Sequence, residues 1–303
     1  MTIDHSEWLR SLSVQQKRHL TQKSDIKGLQ SLLLHAGSIA LIGWLIATAN
    51  LAAWLMFLLM LVQGILMVFL FTLQHETTHY TPFKTRILNT MAGQCCGLLL
   101  MLPPIWFRYF HLAHHRWVQD PRHDPELASA KPATRYQYVI YLSGLPLWKS
   151  AISKLLCNAF KGCEDSYVPA GKRRAVRIES LVMSGLYLII IIGAIAGGHG
   201  EILTVWIIPL LLGQPFLRAY LLAEHAGCQE TNNRFVNTRT LLTNPIVRRL
   251  AWNMPYHTEH HVYPAVPFFR LPEVHALARQ HLKQIEPGYR SFHRNYQDTI
   301  SRN

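Results

Sequence analysis

Charge is scarce in this sequence: only 16% of its 303 residues are charged, while 50% are hydrophobic. That balance argues against an ordinary water-soluble domain. Cysteine is also sparse. The five present (Cys95, Cys96, Cys157, Cys163 and Cys228) are odd in number and form no C-x-x-C pair. A disulfide framework and a zinc ribbon are therefore excluded, and scattered free thiols on a reducing side are expected. Acidic residues number 17 against 30 basic ones, a formal charge of +13. No zinc finger, RRM-like aromatic motif or long Lys/Arg run accompanies this excess, so no nucleic-acid partner is expected. In a membrane protein the same excess sets orientation and attracts anionic lipid. No cleavable signal pattern is expected, because the first apolar run starts only after some 30 mostly polar residues.

The apolar residues that are present are clumped. Four runs reach the roughly 20 residues needed to span a bilayer: about 32–50, 51–73, 178–196 and 202–222. They read as two hairpins with very short links, one near Asn50 and one at Gly197–Glu201. Neither link carries Lys or Arg, whereas the N-terminal arm, Tyr80–Arg177 and the tail after Leu222 carry nearly all of them. Arg218 is the exception, placed to snorkel near the inner end of its helix. The bias puts both termini and the middle region in the cytoplasm. Two shorter apolar stretches, 95–107 (broken by Pro103-Pro104) and 136–148, read as re-entrant or interfacial helices. Leu271, Val274, Leu277, Ala278, Leu282 and Ile285 mark an amphipathic tail helix packed on the cap. The expected fold class is thus an all-α integral membrane protein. One domain, 1–303, has four transmembrane helices in two hairpins and a cytoplasmic helical cap, 80–177 and 223–303, that carries the metal site.

Histidine is abundant, with 17 copies. His75-Glu76-Thr77-Thr78-His79 matches H-E-x-x-H, and His111/His114/His115 and His257/His260/His261 each form H-x-x-H-H. On a helix such spacings share a face, so each box is expected to aim its imidazoles at one point. The first box ends the second span, the second follows without a full span, and two spans later the third returns to the same side. All three can meet beneath one membrane face. Eight imidazoles exceed the needs of one metal and suit two. His225, just past the fourth span, is a candidate ninth. Imidazole alone does not choose among iron, zinc, copper and nickel. Glu76, Asp120, Asp124, Glu224 and Glu259 are candidates to orient the imidazoles from behind, and Asn253 for a water-mediated contact. His123 is expected on the surface. His5, His19, His35, His199, His275, His281 and His293 are assigned no function.

The three boxes, in this order and with two spans before the third, resemble the membrane fatty acid desaturase and hydroxylase superfamily. "HHRWVQDPRHDPEL" and "NMPYHTEHHVYPAVP" are similar to the second and third boxes of acyl-lipid and sphingolipid-type desaturases. The resemblance runs over roughly Leu32–Pro272. It implies two iron ions (Fe2+/Fe3+) held by His75, His79, His111, His114, His115, His257, His260 and His261, with His225 matching by position only. It also implies O2 as co-substrate, a lipid or acyl substrate, and electrons from a ferredoxin or cytochrome b5 type donor. No H-P-G-G haem motif is present, so the donor is expected to be external.

An H-E-x-x-H peptidase would leave two complete boxes idle and would need an N-x-x-P-x-x-x-L-D-G-like segment that is missing. The expected activity is O2-dependent desaturation of a lipid acyl chain. The alternative on the same scaffold is a hydroxylase or ketolase acting on an acyl, sphingoid, carotenoid or smaller amphiphilic substrate. A metal transporter is more distant, since its ligands would follow the depth of the spans. Trp106, Phe107 and Trp252 are candidates to line the substrate tunnel. A bacterial inner membrane is expected rather than the ER.

Overall fold

The computed structural model describes residues 3–301. Two short helices open the chain, α1 (His5–Ser11) and α2 (Val14–Leu20), each closed by a reciprocal capping box, Asp4 with Glu7 and Ser13 with Gln16. Then come α3 (Asp25–Thr48) and α4 (Ala53–Thr78), the bent pair α5 (Arg86–Leu100) and α6 (Pro104–Trp117), and the surface helices α7 (Arg135–Ser143) and α8 (Leu145–Phe160). The long α9 (Ala170–Gly197) is followed by a π turn, Leu203–Ile207, and α10 (Ile208–His225). The tail holds α11 (Arg234–Asn237), α12 (Pro245–Leu250), α13 (His257–Val262), α14 (Leu271–Ala278) and α15 (Tyr289–Thr299). A two-residue parallel pairing, β1 (Thr240–Leu241) with β2 (Ile285–Glu286), ties the tail together.

Four stretches of this chain, ending at Thr48, Thr78, Gly197 and His225, are long and apolar enough to cross a membrane. The four expected spans are therefore present, and the protein is a largely helical membrane protein. Outward-facing Trp44, Trp54, Ile189, Ile192 and Ile195 are more than half exposed, as lipid-facing positions are. Helices α4 and α10 run longer than the apolar counts suggest. Their last turns, Gln74–Thr78 and Ala223–His225, are buried and polar, so hydropathy ends before the helix does.

Glycine sets the contact between α4 and α10. A Cβ built on Gly64 would lie 2.0 Å from the Pro209 carbonyl oxygen, and one on Gly213 2.3 Å from that of Gly64. Small residues at such crossings let membrane helices approach backbone to backbone. Pro209 has no N–H to give the preceding turn, and the π turn before it accommodates that loss.

The stretch expected to be re-entrant is a 99° elbow between α5 and α6. Met101 takes a left-handed conformation (φ 54°) to end α5, and Pro103-Pro104 follow. Gln74 of α4 donates to the Leu102 carbonyl at 2.7 Å and pins the elbow. The N-terminus of α6 is capped from another helix. Glu179 of α9 accepts from Ile105 N at 2.9 Å and Trp106 N at 3.3 Å, and Gln94 Nε2 supports it at 3.1 Å. Two orphan donors of α6 are thereby satisfied. Glu179→Ala is expected to lower stability by about 0.5–2 kcal/mol, the usual size of a lost cap, read as a fall in Tm in detergent.

The tail departs from expectation. The amphipathic helix stops at Ala278; Leu282 lies in the following turn and Ile285 in β2. Leu271, Val274 and Ala278 are buried, but Leu277 is exposed. After α14 ends the chain turns back and buries Leu282 on the same core, whereas Ile285 is exposed.

Candidate metal centre

The three boxes come from α4, α6 and α13, and His225 from the end of α10. Each element is tied down nearby. The buried Arg239 guanidinium donates to the Ala223 and Ala226 carbonyls at 2.6 and 2.9 Å, satisfying the frayed end of α10. Gln119 Nε2 donates to the His225 carbonyl at 2.7 Å. Trp252 and Asn253, both with positive φ, turn the chain into α13. Trp252 Nε1 donates to His35 Nδ1 at 3.1 Å, and His35 Nε2 donates to the Leu66 carbonyl at 2.8 Å. His35, given no role from sequence, thus anchors the third box to α3 and α4.

All nine candidate histidines converge, in two groups. His75, His79, His111, His115 and His260 bring one nitrogen each within 4.8 Å of one another, and so do His114, His225 and His261. His257 joins the second group, with Nε2 3.0 Å from both His225 Nε2 and His261 Nε2. The stacked rings of His115 and His261, 4.0 Å apart, join the two groups.

The first box aims at one point, since His75 and His79 face the same group, but the two H-x-x-H-H boxes do not, contrary to the expectation from helical spacing. His111 and His115 face one group and His114 the other; His260 faces the first and His257 and His261 the second. Successive residues on a helix diverge by about 100°, so neighbours such as His114 and His115 reach different centres. The H-x-x-H-H spacing serves two foci at once.

The inward nitrogens fit cations. Pairs such as His79/His111 (2.9 Å), His115/His260 (3.1 Å) and His114/His225 (3.2 Å) face each other through Nε2. Two nitrogens bonded at right angles to one ion at roughly 2.1 Å stand about 3 Å apart. Both buried nitrogens of His75 lack any hydrogen-bond partner among the described residues. Burial holds His257, His260 and His261 well below the usual histidine range and drives His79 down to about 3, with Arg108 adding to the shift. Neutral imidazoles crowded at these distances have lone pairs to offer and little to donate, which is the state a metal requires.

Of the carboxylates singled out from sequence, three approach these imidazoles. Asp124 accepts from His114 Nδ1 at 2.9 Å. Glu224 lies 3.3 Å from His257 Nδ1, and Glu76 3.5 Å from His260 Nδ1, in both cases near but not aligned as a hydrogen bond. Glu76 is held by Thr81 Oγ1 and Phe268 N. The others point elsewhere. Glu259 accepts hydrogen bonds from His275 Nδ1 and Thr240 Oγ1 rather than from a box histidine. Asp120 caps a surface turn through Arg122 N and His123 Nδ1. Asn253 bonds the Phe268 carbonyl. Asp120 and Asn253 sit at turns that bend them away, which box proximity in sequence does not reveal.

Glu126 was missed. Its Oε2 lies 3.3 Å from His114 Nδ1 and its Oε1 takes a 2.7 Å bond from Lys131. Burial opposes its charge, but Lys131, His114 and His225 hold its carboxyl well below the usual range. The only hint was its place two residues after Asp124. Asp124→Asn is expected to weaken metal binding about 10- to 100-fold, measured by competition with a chelator.

A cavity of about 630 Å³ opens onto His75, His111, His114 and His257. Trp106 and Phe107 line it, as expected. Trp252 does not; it is buried against Phe268.

Membrane-length helices whose terminal histidines converge with two histidine triplets from shorter helices, beside a cavity large enough for an organic chain, define the histidine-box class of membrane oxidoreductases. The chain belongs to the fatty acid desaturase family, whose profile matches residues 52–293. It is similar to the dihydrorhizobitoxine desaturase of Bradyrhizobium elkanii, 28% identical over 80% of this chain and 72% of the relative. It is also similar to the sphingolipid delta(4)-desaturase DES1 of Drosophila melanogaster, 24% identical over 75% and 67%. The endoplasmic-reticulum acyl-lipid omega-3 desaturase (cytochrome b5) of Arabidopsis thaliana is 21% identical over 86% and 73%. The protein is accordingly an oxidoreductase of the desaturase type.

Proposed function

We propose that the protein is a diiron enzyme that desaturates the acyl chain of a lipid, with O2 as co-substrate and electrons from a separate ferredoxin or cytochrome b5 type donor. The observation that carries this reading is the meeting of nine imidazoles in two groups at the wall of one cavity. His75, His79, His111, His115 and His260 hold one iron, and His114, His225, His257 and His261 the other. When bound, the iron pair supplies the O2 chemistry that cleaves an unactivated C–H bond, which acid–base side chains alone cannot do. The balance is simple: O2 takes two hydrogens from neighbouring methylenes, plus two electrons and two protons from donor and solvent, leaving an alkene and two waters.

The protein's part is placement. Asp124, Glu224 and Glu76 set the imidazoles from behind and offset metal charge. Phe71 and Phe107, whose rings meet at 5.5 Å, wall the cavity beside His75 and His111 and keep water from the reacting methylenes. The charge bias of the sequence supports a cytoplasmic metal site with both termini on that side. The basic surface there suits an acidic donor whose docking weakens in salt. One relative's name includes cytochrome b5, which agrees with such a donor.

Lipid mass spectrometry of a host expressing the chain, beside a His261→Ala control, tests the proposal. A product lighter by two hydrogens supports desaturation. A gain of one oxygen makes the enzyme a hydroxylase, and no new product in an iron-loaded, electron-supplied host overturns the assignment.

A further inference from the structure

The cavity beside the histidines is not apolar throughout. Arg218, Gln214 and Trp148 line it, and each has a buried polar atom without a partner among the described residues: Arg218 Nε, Gln214 Oε1 and Trp148 Nε1. Unpaired buried polar atoms are uncommon in native proteins, and three at one cavity call for a ligand. Gln214 is only 4% exposed. Gln214 and Arg218 stand one turn apart on the same face of α10; Trp148 comes from α8.

Charge points the same way. Lys131 and Lys154 also line the cavity, but each is matched, by Glu126 at 2.7 Å and Asp165 at 2.9 Å. Arg218 makes no salt bridge among the described residues and lies 3.9 Å over the Tyr141 ring. Sequence placed it near the helix end, free to snorkel. The helix instead continues to His225, and the guanidinium stays at the cavity wall with Nε shielded from water. Glu224, further along α10, approaches His257 instead. An unmatched cation inside a membrane helix marks a ligand or transport function by default. A guanidinium fork suits the oxygens of a carboxylate or phosphate. Arg218 precedes His225 by seven residues, about 10 Å along the helix.

We propose that Arg218, Gln214 and Trp148 form a head-group site, so that the substrate is an amphiphile with an anionic carboxylate or phosphate head and its chain directed toward the histidines. This rests on the reading of the cavity as the substrate site. The test is binding of radiolabelled dodecanoic acid, dodecyl phosphate and methyl dodecanoate to the iron-loaded protein in nanodiscs. At least one anionic ligand is expected to bind about 10- to 100-fold more tightly than the neutral ester, the range of a charged hydrogen bond. Arg218→Gln is expected to erase that preference while bound iron, Tm and ester affinity stay as in wild type. A preference for the acid alone assigns a carboxylate head, and one for dodecyl phosphate alone a phosphate. Equal binding of all three ligands, or a preference that survives Arg218→Gln, overturns the site. Should Arg218→Gln fail to fold, Gln214→Leu/Trp148→Phe is expected to reduce the preference, and an unchanged preference there also overturns it. Discrimination in binding with no double bond in any ligand counts against the desaturase reading and leaves the head site standing. Equal conversion of acid and ester does the reverse.

Discussion

His261→Ala should abolish product formation, with a loss well beyond the roughly 100-fold that marks the upper range for a removed supporting residue. His261 lies 3.0 Å from His257 Nε2, and its ring stacks on His115 of the other group. Removing it takes a nitrogen from one focus and the packing partner from the next. Iron per chain is expected to fall from about two to about one, the remaining ion held by the His75 group. His199→Ala serves as control: that side chain is 67% exposed in the link that precedes α10, away from both histidine groups and the cavity, so turnover and iron content should stay at wild-type values. Normal iron and normal turnover in His261→Ala would remove the basis for two histidine-held metals.

Gly64→Leu is expected to be the most destabilising single change in the membrane region. The added Cβ meets the Pro209 carbonyl oxygen at 2.0 Å, and the obstacle is backbone, so no rotamer change relieves it. Overpacking costs about 1–3 kcal/mol where side chains can shift; here two helices must separate, and the expected cost exceeds that range. Because α4 carries His75 and α10 carries His225, the same substitution should lower iron content along with Tm. Gly185→Leu and Gly193→Leu provide the comparison, since nothing lies within 4 Å of a Cβ at either position. They should unfold at the wild-type temperature in detergent. A wild-type melting curve for Gly64→Leu would contradict the tight crossing.

What could be read from sequence was what depends on a long run or a repeated spacing. The spans followed from hydropathy, and the histidines from three boxes on one side of them. What could not be read depends on backbone direction over one or two residues. His114 and His115 are neighbours, yet serve different groups. Asp120 turns outward through His123, while Asp124 and Glu126, a few residues on, turn in to His114. Pro103-Pro104 announced the break between α5 and α6, but the left-handed residues at Met101 and Trp252 carry no residue-type signal, because neither Met nor Trp announces such a bend as glycine or Asn does. The buried ends of α4 and α10 were cut short because hydropathy treats a polar turn as solvent, whereas here polar groups meet one another inside the protein.

The order of the boxes along the chain also has a meaning in time. Synthesis delivers His75 and His79 first, the second box next, His225 only with the last long helix, and His261 last of the nine. Until α13 is made, the other six imidazoles lack the three that complete their two groups. A chain cut before α13 would therefore insert its apolar helices and yet lack three of the nine imidazoles.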